Sequence, residues 1–144
     1  MRRLIDLSHT VEHGMVTYPG LPGPVIADYQ TREASQAHYA PGTTFHIGKI
    51  EMVGNTGTYI DAPFHRYAEG NDLAAIRLEQ VADLEGRVFR SDPAQRAIGP
   101  ELFKNEDLCN LELLPDSGFR FHAVPVKVRG FSSFPVRAYA IVSG

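Results

Sequence analysis

Short apolar runs broken by turn-forming residues set the pattern of this chain. Leu4-Ile5-Asp6-Leu7 stops at Ser8-His9-Thr10 and predicts a strand feeding a loop. That loop is long, because Gly14, Pro19-Gly20, Pro22-Gly23 and Pro24 fix or free φ every few residues, which suits neither a helix nor an interior strand. Residues 43 to 53 carry Thr44, Phe45, Ile47, Ile50 and Val53 and predict a strand, with a bulge where alternation breaks at Gly48-Lys49. Asp72 is placed to cap a short helix over Leu73, Ile76 and Leu78, and Asp83-Leu84-Glu85-Gly86 reads as the turn before a strand at Arg87-Val88-Phe89-Arg90. Gly99-Pro100-Glu101 is a helix start, with the helix running to Leu114 and stopped by Pro115. Residues 119 to 128 alternate and predict a strand that Pro125 confines to a sheet edge, and residues 136 to 142 predict the last strand.

These elements predict an α/β fold with a mixed, curved sheet and flanking helices in one domain spanning residues 1 to 144. Composition narrows the partners. The 14 Lys+Arg against 17 Asp+Glu give a formal charge of −3 and no basic surplus for nucleic acid or anionic lipid. No apolar run reaches the ~18 residues of a membrane span, and the N-terminus lacks the long apolar region of a signal peptide, so a cytoplasmic setting is expected. A lone Cys109 excludes a disulfide framework and a cysteine zinc cluster. Small-molecule chemistry is what remains.

The chemistry concentrates at Asn55-Thr56-Gly57-Thr58-Tyr59-Ile60-Asp61-Ala62-Pro63-Phe64-His65. Asp61 accepts hydrogen bonds or binds a cation, and His65 exchanges a proton near neutral pH. Taken singly, Asp61 before Ala-Pro orders a turn, Arg66 offers it a salt-bridge partner, and His65 packs among aromatics. Asn55, Tyr59, Asp61 and His65 together within eleven positions exceed what a turn requires.

This stretch resembles the cyclase family, whose familiar members are kynurenine formamidases, metal-dependent amidases of tryptophan breakdown. The family frame His-x-Gly-Thr-His-x-Asp-x-Pro-x-His is matched from Asn55 to His65, and further agreement lies in Asp6-Leu7-Ser8-His9, Thr17-Tyr18-Pro19-Gly20, Leu84-Glu85-Gly86 and Pro135-Val136-Arg137-Ala138. The resemblance implies the kynurenine formamidase-like fold, shortened by an interior block beyond Ile98-Gly99-Pro100 that in the family carries another ligand histidine. It implies that Asp61 is a metal-bridging carboxylate and His65 the acid/base histidine. Glu106, within Glu106-Asp107-Leu108-Cys109-Asn110-Leu111, falls on a second metal-ligating position. Two family histidines fall on Asn55 and Tyr59, an amide and a phenol, which are weak ligands for zinc.

The resulting expectation is a hydrolase of a small amide or lactone, of which N-formylkynurenine is the family example. His65 and Asp61 are catalytic; Tyr18, Asn55 and Tyr59 bind substrate; Asp61, Glu106 and Asn55 hold a weakly bound divalent metal, with oxygen ligands favouring Mn²⁺ or Mg²⁺ over Zn²⁺. Two alternatives remain: a catalytically silent small-molecule-binding member, and a metal-free isomerase or cyclase using Asp61 and His65. A homo-oligomer is expected, since a sheet lacking a block exposes apolar surface. His46 and His122 are read as structural, and Cys109 has no basic neighbour to activate it.

Overall fold

The computed structural model describes residues 1–88 and 104–143, with backbone alone at Lys104–Glu106. Two compact units emerge, one built from Met1–Thr10 with Gly54–Gly144 and one from Val11–Val53.

The first unit holds a four-stranded sheet and a three-stranded sheet. Strands β1 (Arg2–Asp6), β5 (Leu84–Arg87), β7 (Ser117–His122) and β9 (Tyr139–Ser143) pair in the order β1-β9-β7-β5. Strands β4 (Tyr59–Asp61), β6 (Lys104–Glu106) and β8 (Ser133–Pro135) pair in the order β6-β4-β8. Every pairing among these described strands is antiparallel. Ile5, Ile60 and Phe119 from these strands form one buried cluster with Leu7, Leu73 and Ala138 from the segments beside them. Phe119 stands opposite Gly86 in the ladder, and its ring occupies the space that a Cβ at Gly86 would need.

Two of the segments quoted for the family resemblance meet here although they lie at opposite ends of the sequence. Arg137 grips Asp6 through Nε and Nη2 at 3.1 and 2.7 Å, the Leu7 N–H donates to the Ala138 carbonyl at 2.9 Å, and the Ala138 N–H donates to Ser8 Oγ at 2.7 Å.

The second unit contains a two-stranded antiparallel ribbon, β2 (Val25–Gln30) on β3 (Ile47–Glu51), and the four-residue helix α1 (Arg32–Ser35), whose N-cap Thr31 accepts from the Ala34 N–H. Within the predicted strand at 43 to 53 only Ile47–Glu51 is extended, and the irregularity falls on the partner strand between Asp28 and Gln30 rather than at Gly48-Lys49.

The sheet-dominated fold agrees with expectation, and several elements shift. The predicted edge strand ends at His122, before Pro125, so the proline interrupts no ladder and β7 lies inside its sheet between β5 and β9. The strand predicted at 87 to 90 begins three residues earlier, at Leu84, because Asp83 takes φ 56° and completes the turn there; Phe89 and Arg90 lie outside the described residues. The helix predicted from Gly99 to Leu114 is replaced, over its described part, by strand β6 and a single 3-10 turn at Leu111–Leu113. Its start at residues 99 to 103 lies outside the described residues. Left-handed backbone at Asp107 and Asn110 breaks any helical path there. The last predicted strand, at 136 to 142, begins only at Tyr139 and runs to Ser143 as β9, while β8 at Ser133–Pro135 was not expected. Asp72 caps as expected, accepting from the Ala75 N–H at 3.1 Å, over a 3-10 turn at Leu73–Ala75. No helix among the described residues is long and apolar enough to cross a membrane.

Candidate functional site

The polar cluster predicted from the sequence assembles at the end of β4. Gly57, at φ 60°, turns the chain after Asn55, and Thr58 then anchors it: its buried hydroxyl donates to the Asp107 carbonyl at 2.6 Å and accepts from the His9 N–H at 2.9 Å. Gly54 lies so close to the Ser133 carbonyl that no Cβ fits, which brings Asn55 beside the β4 and β8 pair. Asp61 closes β4 opposite Ser133. Pro63, with φ fixed by its ring, then starts the 3-10 turn Pro63–His65, whose His65 N–H bonds the Ala62 carbonyl at 2.9 Å. That tight turn carries the His65 ring back beside Asp61.

Asp61 has a side chain only 11% exposed, and its Oδ1 accepts two hydrogen bonds, from Ser133 Oγ at 2.5 Å and from Asn55 Nδ2 at 3.3 Å. Its Oδ2 lies 3.9 Å from His65 Nε2, and His65 Nδ1 lies 3.3 Å from the same Ser133 Oγ. A serine hydroxyl has one proton, and the short contact assigns it to Asp61. Ser133 therefore accepts from His65, which assigns the neutral imidazole proton to Nδ1 and leaves the Nε2 lone pair as the base. His65 is one-third exposed and open to solvent, whereas Ser133 is 1% exposed and orients its neighbours without reaching a substrate.

Asn55, Asp61 and His65 are thus brought together. Tyr59 stands two residues before Asp61 on β4 and is buried at 3% exposure. Glu106 lies directly opposite Tyr59 in the backbone ladder, and its side chain is outside the described residues. Tyr18 belongs to the Val11–Val53 unit. Arg66 forms no ion pair with Asp61; its backbone N–H bonds the Pro63 carbonyl. His46 is held by Asp28 at 2.8 Å, and His122 stacks on Tyr139 with Nδ1 accepting from the Asp83 N–H at 3.2 Å. Ser133 was not singled out from the sequence; its signal is a pair of hydroxyls, Ser132-Ser133, set between Phe131 and Phe134.

The described donors fall short of a metal centre. No three His, Cys, Asp or Glu side chains stand together among the described residues. Asn55 turns its amide N–H₂ to Asp61, and Asp61 Oδ1 is already shared between two donors. One carboxylate and one imidazole are fewer than the three or four protein ligands a resident zinc takes.

The Cyclase family model matches residues 5–112. The chain belongs to the cyclase family. The cyclase-family match covers the whole stretch from Asn55 to His65. Among solved structures, isatin hydrolase A from Labrenzia aggregata bound to benzyl benzoate aligns with TM-score 0.72 and 15% identity over 99% of this chain and 94% of that one. Isatin hydrolase A from Ralstonia solanacearum gives TM-score 0.74 and 16% identity over 99% and 92%. A potential metal-dependent hydrolase with cyclase activity gives 0.68 and 16% over the full length of both chains. At such identities the likeness is one of fold. No curated protein matches this cyclase-family chain in sequence.

Proposed function

We propose that this cyclase-family chain hydrolyses a small amide or lactone, with His65 as the acid/base group and Asp61 as its electrostatic partner. The observation that carries the reading is the shared Ser133 hydroxyl, which fixes Asp61 Oδ1 at 2.5 Å and His65 Nδ1 at 3.3 Å and leaves His65 Nε2 basic. His65 Nε2 takes a proton from water as the water adds to the substrate carbonyl. The imidazolium so formed lies 3.9 Å from Asp61 Oδ2, whose negative charge stabilises it. His65 then returns the proton to the leaving nitrogen or oxygen, which completes hydrolysis with no net proton gained by the protein. Asn55 and Ser133 orient Asp61 by donating to its Oδ1. The fold neighbours support this reaction class, since two of them are isatin hydrolases and isatin is a cyclic aryl amide. Aryl formamides such as N-formylkynurenine are the finer substrate reading.

The test compares the parent protein with His65→Ala on isatin, N-formylkynurenine and a simple lactone, from about pH 5 to pH 9, with circular dichroism to check folding. A positioned acid/base group contributes ~10²–10⁴-fold, so turnover falls by that factor in a folded variant. Turnover that survives the substitution removes His65 from the reaction. A parent that binds these compounds without turning them over replaces hydrolysis with a ligand-binding role.

A further inference from the structure

Four consecutive residues, 130 to 133, are each bonded to the stretch from 61 to 73 that carries Asp61 and His65. The Gly130 N–H donates to Asp72 Oδ2 at 2.6 Å, and the Leu73 N–H donates to the Phe131 carbonyl at 3.0 Å. The Ala62 N–H donates to the Ser132 carbonyl at 2.7 Å, and the Ser133 hydroxyl donates to Asp61 Oδ1 at 2.5 Å. The series ends on the hydroxyl that orients both candidate catalytic groups and begins on Asp72, its one charged contact outside that cluster. We propose that Asp72 is a positioning residue whose carboxylate fixes the 130–133 segment and thereby sets the placement of the Ser133 hydroxyl between Asp61 and His65.

The geometry of Asp72 suits that task. Its Oδ1 accepts from the Ala75 N–H at 3.1 Å, so one carboxylate ties its own turn to the Gly130 segment. The preceding Asn71 carbonyl accepts from the Phe64 N–H at 3.1 Å, which ties the same turn to the loop carrying His65. Gly70 permits this, since its backbone lies where a Cβ would stand 2.7 Å from the Pro63 carbonyl carbon. Gly130 adopts φ 68°, a left-handed conformation that glycine reaches at little cost, with its N–H bonded to Asp72. The Gly130 amide, ahead of those of Ala75 and Ala74 and the charge of Arg129, holds the Asp72 carboxyl below its ordinary value. Only Phe131 and Ser132 separate Gly130 from Ser133, too few to absorb a shift without passing it on. Misplacement of a catalytic constellation by about 1 Å costs ~10²-fold in rate.

The consequence for turnover rests on the hydrolytic reading above; the structural claim does not. The test measures, by NMR, exchange of the Ser133 hydroxyl proton and of the Gly130, Leu73 and Ala62 amides in the parent, Asp72→Asn and Gly130→Ala. Gly130→Ala attacks the same clasp from the other side, through backbone strain alone, because no atom lies within 4 Å of the added Cβ. Both variants are expected to speed these exchanges about tenfold or more while amides of β1, β7 and β9 keep their parental protection. Where the parent hydrolyses a substrate, kcat falls about 10- to 100-fold with KM near parental, and Asp72→Asn adds no further loss in a Ser133→Ala background. Unchanged Ser133 hydroxyl exchange in either folded variant overturns the proposal, as does equal loss of protection across the whole chain. Altered exchange with parental kcat overturns the positioning role. A parent inactive on every compound strikes the hydrolytic reading alone, because the exchange measurements still decide what Asp72 holds.

Discussion

Ser133 Oγ lies 2.5 Å from Asp61 Oδ1 and 3.3 Å from His65 Nδ1, so one buried hydroxyl orients a carboxylate and an imidazole from the far side of the chain. Ser133→Ala leaves Asp61 Oδ1 with the longer Asn55 contact as its other hydrogen bond. Hydrogen bonds to charged groups are worth about 1.5–3 kcal/mol, and a stability loss in that range is expected by urea unfolding. Because the two groups act as a unit, His65→Ala and Ser133→Ala should be strongly non-additive in turnover. Full additivity would mean that the hydroxyl serves Asp61 alone.

Metal affinity follows from the donors. Asp61 shares its Oδ1 between two donors and Asn55 presents an amide N–H₂ to it, so a divalent ion gains few strong ligands from the described residues. Added Mn²⁺, Mg²⁺ or Zn²⁺ is expected to bind weakly and to leave on dialysis against a chelator. One zinc per chain retained after prolonged chelation, measured by elemental analysis, would place strong ligands beyond those described.

Gly86 and Phe119 make a packing prediction independent of function. The ring fills the position of a Gly86 Cβ and is itself buried in the core cluster, so it has nowhere to move. Gly86→Ala is expected to cost about 1–3 kcal/mol through overpacking, and Phe119→Leu to recover part of that loss in the double variant. A neutral Gly86→Ala in thermal unfolding would show that β5 slides freely past β7.

The β2 and β3 ribbon exposes Val25, Ile26, Tyr29, Ile47 and Ile50. Two-stranded ribbons are marginal alone, and exposed apolar groups of this kind favour association. The homo-oligomer expected from the sequence is therefore proposed to use this ribbon. Ile26 and Ile50 are paired across it, and Ile26→Glu with Ile50→Glu should shift the protein toward monomer in light scattering. A parent that is monomeric at micromolar concentration would count against it.

Much of the site was legible because its chemistry is local. Asn55, Asp61 and His65 lie within one turn-rich segment, and Pro63 and Gly57 mark the backbone that gathers them. Ser133 and Asp72 were harder to read, because their roles depend on partners 72 and 58 positions away. The edge assignment for β7 failed for a related reason: Pro125 was counted inside the strand, whereas pairing with β9 and β5 stops at His122. The helix expected toward Leu114 followed local start and stop signals, but the chain there pairs with β4 instead, a tertiary contact that overrides propensity.

Acid stability gives the remaining prediction. Asp72 is held below the ordinary value of 3.8 first by the Gly130 amide, and Asp83 below the same value first by its hydrogen bond from Arg120, whose Nε lies 2.7 Å from Asp83 Oδ1. A carboxylate with a depressed folded-state pKa binds protons less readily in the folded chain than in the unfolded one. Its stabilising effect is therefore complete above about pH 4 and is lost as pH falls through the folded value. Urea midpoints measured stepwise should fall below about pH 4 in the parent. The Asp72→Asn, Asp83→Asn double variant should be less stable at neutral pH, show a shallower fall on acidification, and converge with the parent once both carboxylates are protonated. Added salt should weaken the Asp83 contribution more than that of Asp72, since the first involves the Arg120 charge and the second mainly backbone N–H groups. Parallel curves for parent and variant down to the acid limit would assign the acid sensitivity to other groups.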